Sequence, residues 1–110
     1  MEGLMKGDIV VIQFPFSDIE SSKRRPALVV AKTNDENQIL CQITSQDRPD
    51  PDKLSLKKFD FQQGCLKHES YIRPTILFTL HNSRISYKIG KLIKEKIRIV
   101  ENKFCEIFTR

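Results

Sequence analysis

The sequence predicts a mainly β domain that forms a small barrel of short strands, with one C-terminal helix packed against it. Short apolar or alternating runs, separated by turn-forming residues, continue from residue 8 to residue 92. After them the apolar spacing changes from every second residue to every third or fourth. A length of 110 residues suits one domain, and we take 1–110 as a single unit.

Runs rich in β-branched and aromatic residues predict five or six strands. They are Asp8–Phe14, Ala27–Ala31, Ile39–Thr44, Leu54–Phe61, Tyr71–Leu80 and Ile85–Leu92. The run Leu54–Phe61 is interpreted as one short strand, straight or bent. Because Ala27–Ala31 is apolar throughout, it is predicted to be buried on both faces. Pro74 indicates that its strand lies at an edge or contains a bulge.

Two loops and a helix complete the predicted order. Residues 16–25 are polar and charged, and a connection of this length is often functional. The segment QDRPDPDK, residues 46–53, has two prolines among charges and predicts a mobile loop. Helical spacing at the C-terminus predicts an amphipathic helix with these apolar positions: Ile93, Ile97, Val100, Phe104 and Ile107.

Composition narrows the classes of function. A net charge of +5 and a pI near 9.2 favour an acidic partner, most often nucleic acid. No apolar run approaches the ~20 residues of a membrane helix, and no signal peptide is seen, so we expect a cytoplasmic protein without membrane contact.

Sequence motifs favour neither a metal nor a cofactor. The chain has no HExxH, P-loop or GxGxxG motif. Cys41, Cys65 and Cys105 are widely spaced and pair with no histidine, so they are interpreted as small hydrophobic residues in a reducing compartment. His68 and His81 lie in polar segments and are interpreted as solvated loop residues.

The sequence SSKRRPALVV, residues 21–30, contains the strongest candidate site. Pro26 restricts Arg25 to an extended conformation immediately before a buried strand. The planar guanidinium of an arginine suits a phosphate, and Lys23 and Arg24 add positive charge. A solvated strand edge is the alternative interpretation.

Two further segments place polar side chains on strands. Thr44 ends a strand on the face opposite Cys41, and Ser45 and Gln46 follow it, although strand ends are often polar without having a function. In SYIRPTILFTL, residues 70–80, alternation places Tyr71, Arg73, Thr75 and Leu77 on one face. Arg73 is either a second phosphate contact or a structural partner for an acid such as Glu20.

Several fragments in order give the chain a family resemblance. They are KGDIVVIQFPFSD, RRPALVVA, ILCQITSQ, SYIRPTILFTL followed by NSRI, and IGKLIKEKI before the final helix. From Lys6 to the helix, the chain resembles the MazF/PemK (Kid-like) family of toxin endoribonucleases. The resemblance implies a small SH3-like β-barrel with a C-terminal helix, assembled as a homodimer.

The same resemblance implies an activity and partners. It implies metal-independent, cofactor-free cleavage of single-stranded RNA at short sequences, through attack by the 2′-hydroxyl. Such a protein is the toxin of a type II toxin–antitoxin system. Its implied protein partner is a cognate antitoxin with an acidic, partly disordered C-terminal segment.

The family's functional residues carry over by position. Arg25 matches the arginine before proline that is treated as catalytic, and Thr44 matches its usual threonine partner. Glu20 falls where some members have an acid. Arg73 resembles the catalytic arginine of the PemK/Kid branch, although that branch has an aspartate at position 75, where this chain has a threonine, and an early histidine, where it has Ser17 and Asp18.

The predicted site therefore has two members and several candidates. Arg25 and Thr44 are predicted to be catalytic. The further catalytic or substrate-binding candidates are Glu20, Arg73, Gln46, Ser17, Arg24 and Lys23. Phe16 and Tyr71 could stack on bases. Two alternatives are a non-catalytic toxin of the CcdB type that binds a topoisomerase, and a nucleic-acid-binding barrel without catalysis.

Overall fold

The computed structural model describes residues 3–13 and 24–110. Its strands are β1 (Asp8–Gln13), β2 (Arg24–Lys32), β3 (Asn37–Thr44), β4 (Leu54–Leu56), β5 (Phe61–Gly64), β6 (Ser70–His81) and β7 (Ile85–Leu92). Two short 3₁₀ turns lie at Lys58–Asp60 and Asn82–Arg84, and the helix α1 spans Lys94–Thr109.

The seven strands form one sheet in the order β4-β6-β3-β2-β1-β7-β5. All of its strand pairs are antiparallel. The sheet curls into a half-barrel, and the helix follows it at the C-terminus of the chain. The predicted fold class is therefore confirmed. Within the described residues, no helix is long and apolar enough to cross a membrane.

The two faces of the sheet carry two separate hydrophobic cores, because alternate residues of each strand point to opposite faces. The first, which we call the helix-side core, contains Ile9, Leu28, Cys41, Ile43, Leu56, Ile72, Leu92 and Val100. The second core contains Leu4, Val10, Ile12, Ala27, Val29, Leu40, Phe78 and Ile85. Strand β2 contributes to both cores, as its continuous apolar run predicts.

Helix α1 packs its apolar stripe on the helix-side core. Ile97, Val100 and Phe104 make this contact, which confirms the predicted amphipathic helix. Gly7 lies beneath the helix at φ +95°, and a Cβ there would overlap the Ile97 side chain. The backbone N–H of Gly7 donates to Val29 O at 2.9 Å, and its carbonyl accepts from Leu92 N at 2.9 Å.

The prediction of a single strand over Leu54–Phe61 is wrong. The segment contains β4 and the start of β5, which lie at opposite edges of the sheet. Between them Asp60 Oδ2 accepts from the backbone N–H of Lys57 at 2.8 Å and makes a buried ion pair with Lys96 Nζ at 3.5 Å. These contacts close a tight turn that redirects the chain across the sheet.

The bulge predicted from Pro74 is confirmed, but the predicted face of Leu77 is wrong. Between β3 and β6, Gln42 pairs with Arg73 while its neighbour Cys41 pairs with Leu77, so β6 has extra residues between the two pairs. The bulge reverses the alternation, because Ile72 and Leu77, five positions apart, both pack on the helix-side core. Leu77 therefore faces away from Tyr71 and Arg73.

The interpretation of the three cysteines as small hydrophobic residues agrees with burial only at Cys41. Cys41 is buried, whereas Cys65 and Cys105 are exposed. Burial raises the pKa of the Cys41 thiol to about 12. Its Sγ lies 3.0 Å from the carbonyl oxygen of Arg73, at the start of the bulge, and donates to it.

The loop over residues 46–53 is tied to the rest of the fold, in contrast to the mobile segment that its prolines predict. Asp52 is buried and accepts two bonds from Arg110, at 3.1 and 3.0 Å. It also pairs with Lys103 Nζ at 3.3 Å. These partners lie in the last turns of α1 and at the C-terminus, too far along the chain for a local pattern to predict.

Candidate active site

Arg25 and Thr44 lie on neighbouring antiparallel strands. Strands β2 and β3 pair Ala27 with Gln42 and Leu28 with Cys41. Continuing this register by two residues from Ala27 places Arg25 opposite Thr44, since the paired residue numbers have a constant sum. Side chains of directly opposed residues share a face of the sheet and lie ~5 Å apart at Cβ. Extended in this way, the register brings the two predicted residues to the same face of neighbouring strands.

Arg25 belongs to β2 itself, not to the loop in which the sequence placed it. It pairs with Ile12 of β1, so strand β1 fixes its backbone on one side. The side chain is half-buried, and its Nε is buried with no hydrogen-bond partner among the described residues. Because buried polar groups are normally paired, this nitrogen is, among those residues, an unsatisfied donor near the start of β2.

A hydrogen bond from the backbone two residues further along the chain fixes the position of the Thr44 hydroxyl. Its Oγ1 accepts a hydrogen bond from the backbone N–H of Gln46 at 3.1 Å. A threonine hydroxyl can accept and donate at the same time, so its hydrogen stays free to bind an oxygen of a ligand. The same bond turns the chain after β3 and places Ser45 and Gln46 at the strand end.

A cleft of about 550 Å³ opens where these strand ends meet. The predicted residues that line it are Arg24, Arg25, Thr44 and Gln46, together with Ser45. The described lining residues include three cations, Arg24, Arg25 and Lys67, and no acid. An excess of positive charge on the walls of a cleft attracts and concentrates anions.

Residues 66–70 form another wall of the cleft, which the sequence did not predict. Leu66, Lys67, His68 and Ser70 line it. Ser70 is buried and its hydroxyl donates to the carbonyl of His68 at 3.0 Å, which holds the backbone beside the cleft. The placement depends on the turn at Lys58–Asp60 and on the pairing of Ser70 with Leu56 in β4. The one local signal was a lysine and a histidine next to each other in a polar segment.

Arg73 lies outside the set of cleft-lining residues, with its guanidinium bound elsewhere. Its Nε donates to Asp50 Oδ2 at 3.0 Å, and its Nη1 donates to Gln42 Oε1 at 3.3 Å. The backbone N–H of Asp52 donates to Asp50 Oδ1 at 3.0 Å. That bond, followed by the bond from Arg73, lowers the pKa of the Asp50 carboxyl. The acid that Arg73 meets is thus Asp50 in the loop after β3.

The other predicted residues do not line the cleft or are not among the residues that the structure describes. Tyr71 pairs with Thr44 across the sheet, and the ammonium of Lys53 lies 4.7 Å from the centre of its ring. The residues of the long charged loop, Phe16, Ser17, Glu20 and Lys23, lie outside the described residues. His81 turns away to the end of β6, where its Nδ1 accepts from Ser83 N at 3.1 Å.

The cleft has the chemistry of an anion site. Its described side chains offer guanidinium, ammonium, hydroxyl, amide and imidazole groups. Within residues 3–13 and 24–110, no group of three histidine, cysteine or acidic side chains is arranged to hold a metal ion. The arrangement can bind a phosphate, donate hydrogen bonds to its oxygens and move a proton through His68.

These features define a small curled-sheet protein with a cationic cleft at the ends of two strands. A family model described as PemK-like, MazF-like toxin of type II toxin–antitoxin system matches residues 5–108. The chain therefore belongs to this toxin family, and the predicted family is confirmed. Comparison with curated protein sequences gave no significant match.

Solved structures share the fold at low sequence identity. An endoribonuclease in complex with its cognate antitoxin from a mycobacterial species has a TM-score of 0.74 and 10% identity, covering 96% of this chain and 95% of that one. MazF from Deinococcus radiodurans has a TM-score of 0.71 and 20% identity, covering 96% of each. MazE-MazF from the same organism gives 0.70 and 18%, covering 94% and 93%.

Proposed function

We propose that this toxin is a sequence-specific, metal-independent endoribonuclease that cleaves single-stranded RNA. The observation that carries the proposal is that Arg25 and Thr44, on neighbouring strands, line one cationic cleft, with a buried Arg25 nitrogen that lacks a partner among the described residues. The family of the chain and the naming of a structural neighbour as an endoribonuclease support the same reaction.

The reaction follows from the chemistry of RNA and the residues of the cleft. The 2′-hydroxyl oxygen forms a bond to the phosphorus and loses its proton, while the bond to the 5′-oxygen breaks and that oxygen gains a proton. The products are a 2′,3′-cyclic phosphate and a 5′-hydroxyl. Negative charge builds up on the phosphate oxygens in between, where Arg25 stabilises it and the Thr44 hydroxyl donates a hydrogen bond.

His68 is the proposed proton-transfer residue. An arginine remains protonated at ordinary pH and is a poor acid or base, whereas histidine exchanges protons near neutrality. His68 lines the cleft, and Ser70 holds its carbonyl at 3.0 Å. Glu20, which lies outside the described residues, is the alternative general base. The cleavage rate of His68→Asn is measured against pH and compared with that of the wild type. Loss of one limb of the pH dependence supports the assignment, and an unchanged pH dependence transfers the role to Glu20.

The proposed setting is that of a toxin held in check by a partner. A member of this family is one half of a toxin–antitoxin pair. We propose that the chain forms a homodimer in the cytoplasm and that an acidic, partly disordered C-terminal segment of the antitoxin occupies the cationic cleft. Such a segment competes with RNA for Arg24, Arg25 and Lys67, and its binding weakens as salt rises.

The experiment that tests this function is cleavage of a long single-stranded RNA in excess EDTA. Cut sites are mapped by primer extension for the wild type, Arg25→Ala and Thr44→Ala, with Arg98→Ala as a control. Arg98 is an exposed arginine of α1, and the control variant carries the same loss of charge as Arg25→Ala. Cuts at one short motif, lost in the two site variants and kept in the control, are the expected result.

Two other results contradict the proposal, one its function and the other its site. No cleavage by the wild type favours a toxin that binds a protein such as a topoisomerase, or a barrel that binds nucleic acid without cutting it. Cleavage that survives Arg25→Ala leaves the function in place but moves the site, and Arg73 is then the next residue to replace.

A further inference from the structure

A second cleft of about 270 Å³ adjoins the candidate active site. The two clefts share Leu66, Lys67 and His68 as lining residues. They therefore meet along the segment that precedes β6, and a strand of RNA that leaves the first cleft across this wall enters the second. No residue of its far side belonged to the predicted site.

The far side of the second cleft is the sequence Lys57-Lys58-Phe59, which we call the KKF turn. The side chain of Phe59 is 75% exposed. Lys57 and Lys58, which precede it in the sequence, are also exposed. With Lys67 included, the described residues that line the second cleft contain three lysines and one acid, Glu69. This is the pairing of an aromatic platform with surrounding cations that single-stranded nucleic acid prefers.

The KKF turn is held rigidly from below. The Asp60 carboxylate accepts from the backbone N–H of Lys57 at 2.8 Å and pairs with the buried Lys96 of α1 at 3.5 Å. The carbonyl of Asp60 accepts from the backbone N–H of Ile93 at 2.9 Å, and its own N–H donates to Lys57 O at 3.0 Å. These bonds fix the turn against the start of the helix, so Phe59 is exposed on an ordered scaffold and not on a loose loop.

We propose that the KKF turn is an RNA subsite, in which Phe59 stacks on a base beyond the scissile phosphate and the lysines contact the flanking phosphates. Stacking needs a flat, exposed ring at a fixed position, which the Asp60 anchor supplies. Phosphate binding needs exposed cations around that ring, which Lys57 and Lys58 supply. This inference rests on the proposed function for its substrate, RNA, but its test does not depend on cleavage.

The first measurement is of binding to a labelled single-stranded RNA of about ten nucleotides. It is made with the Thr44→Ala variant, so that the RNA stays intact. In that background, Phe59→Ala is expected to weaken binding about tenfold, and Phe59→Trp to restore it. Phe108→Ala is the matched control, because Phe108 is 69% exposed on α1 and away from both clefts. Lys57→Gln with Lys58→Gln is expected to reduce the salt slope by about 0.7 for each phosphate that a lysine no longer neutralises.

Cleavage kinetics give the second measurement in the otherwise wild-type protein. Phe59→Ala is expected to raise KM for the ten-nucleotide RNA with little change in kcat. Cleavage of a shorter RNA that carries the recognised motif but ends before the second cleft is expected to be unaffected. Thermal unfolding of each variant checks that the fold is kept, as expected for an exposed side chain.

The outcomes separate this proposal from the proposed function. RNA binding that depends on Phe59, with no cleavage by the wild type, keeps the subsite and overturns the nuclease. Cleavage with unchanged RNA affinity in Phe59→Ala overturns the subsite and keeps the nuclease. A Phe59→Ala variant that binds RNA normally but loses dimerisation, or loses affinity for an acidic peptide, also overturns it and makes the turn a protein interface.

Discussion

Arg73 is bound by Asp50, with Nε and Oδ2 3.0 Å apart, and this pair joins strand β6 to the loop after β3. The Asp50 carboxylate is buried to a greater degree than the guanidinium that it binds. The pair therefore stabilises the loop over residues 46–53, which begins immediately after the Thr44 strand end. In this arrangement Arg73 supports the cleft from outside and does not line it.

The Asp50–Arg73 pair predicts a specific loss of stability in acid. The pKa of Asp50 is lowered in the fold from its ordinary 3.8, so the stabilisation is fully present above pH ~4 and disappears as the pH falls through the lowered value. Asp50→Asn is expected to unfold more easily than the wild type at pH 7 and to show a smaller further decrease in stability between pH 5 and pH 2. Urea unfolding at several pH values measures this.

The same pair separates a structural Arg73 from a catalytic one. Arg73→Ala and Asp50→Asn are expected to lower stability alike and to reduce RNA cleavage by a similar, small factor. If Arg73→Ala abolishes cleavage while Asp50→Asn cleaves at the wild-type rate, Arg73 acts on the substrate and the structural account fails.

The Thr44 hydroxyl is expected to act as a hydrogen-bond donor to the reacting phosphate. Thr44→Val keeps the shape of the side chain and removes the hydroxyl, so kcat is expected to fall about 10²-fold, the usual cost of removing one oxyanion donor. Thr44→Ser keeps the hydroxyl and the bond from Gln46 N, and is expected to remain within about tenfold of the wild type. Single-turnover cleavage of a short RNA measures both; a Thr44→Val enzyme as fast as Thr44→Ser contradicts the role.

Local patterns predicted most of the fold and, of the residues that line the candidate site, those on the two strands. Strand alternation placed Thr44 opposite the Cys41 face, and the proline after Arg25 fixed that residue at a strand end. Each of these features depends only on residues within one strand, so the sequence of that strand predicts it. The register between the two strands depends on both of them together and was not predicted.

What local patterns missed depends on contacts between distant residues. His68 reaches the cleft because the turn closed by Asp60 and Lys96 sends the chain from one sheet edge to the other. Arg73 meets Asp50 because the loop after β3 lies beside β6, and the bulge that follows Arg73 turns Leu77 to the other face. Neither the partner Lys96 nor the size of the bulge can be seen in the segments themselves.

The three cysteines are expected to differ in reactivity. Cys41 is buried and its pKa is raised to about 12, so at pH 8 almost none of it is the reactive thiolate. Cys65 and Cys105 are exposed. A thiol-reactive dye added to the native protein should label two cysteines quickly, and the third only when the protein is unfolded in denaturant. Rapid labelling of all three in the native protein contradicts the burial of Cys41; mass spectrometry of the peptides identifies each site.

Gly7 is expected to be the glycine whose replacement destabilises the fold through helix packing. Its φ of +95° disfavours any other residue, and a Cβ would overlap the side chain of Ile97 in α1. Gly7→Ala is expected to lower the free energy of unfolding by about 2 kcal/mol or more, as strain and overpacking combine. Urea unfolding followed by circular dichroism measures the change.

Gly3→Ala is the matched control for Gly7→Ala. Gly3 also has a positive φ, +80°, but a Cβ there meets nothing within 4 Å. It carries the backbone strain without the overlap, so the difference between the two variants isolates the effect of Ile97. Gly7→Ala should then cost less in an Ile97→Ala background than in the wild type, because the shorter side chain makes room. Equal destabilisation by Gly3→Ala and Gly7→Ala would show that glycine is needed at position 7 only for its positive φ, and that a Cβ there does not disturb the packing of the helix.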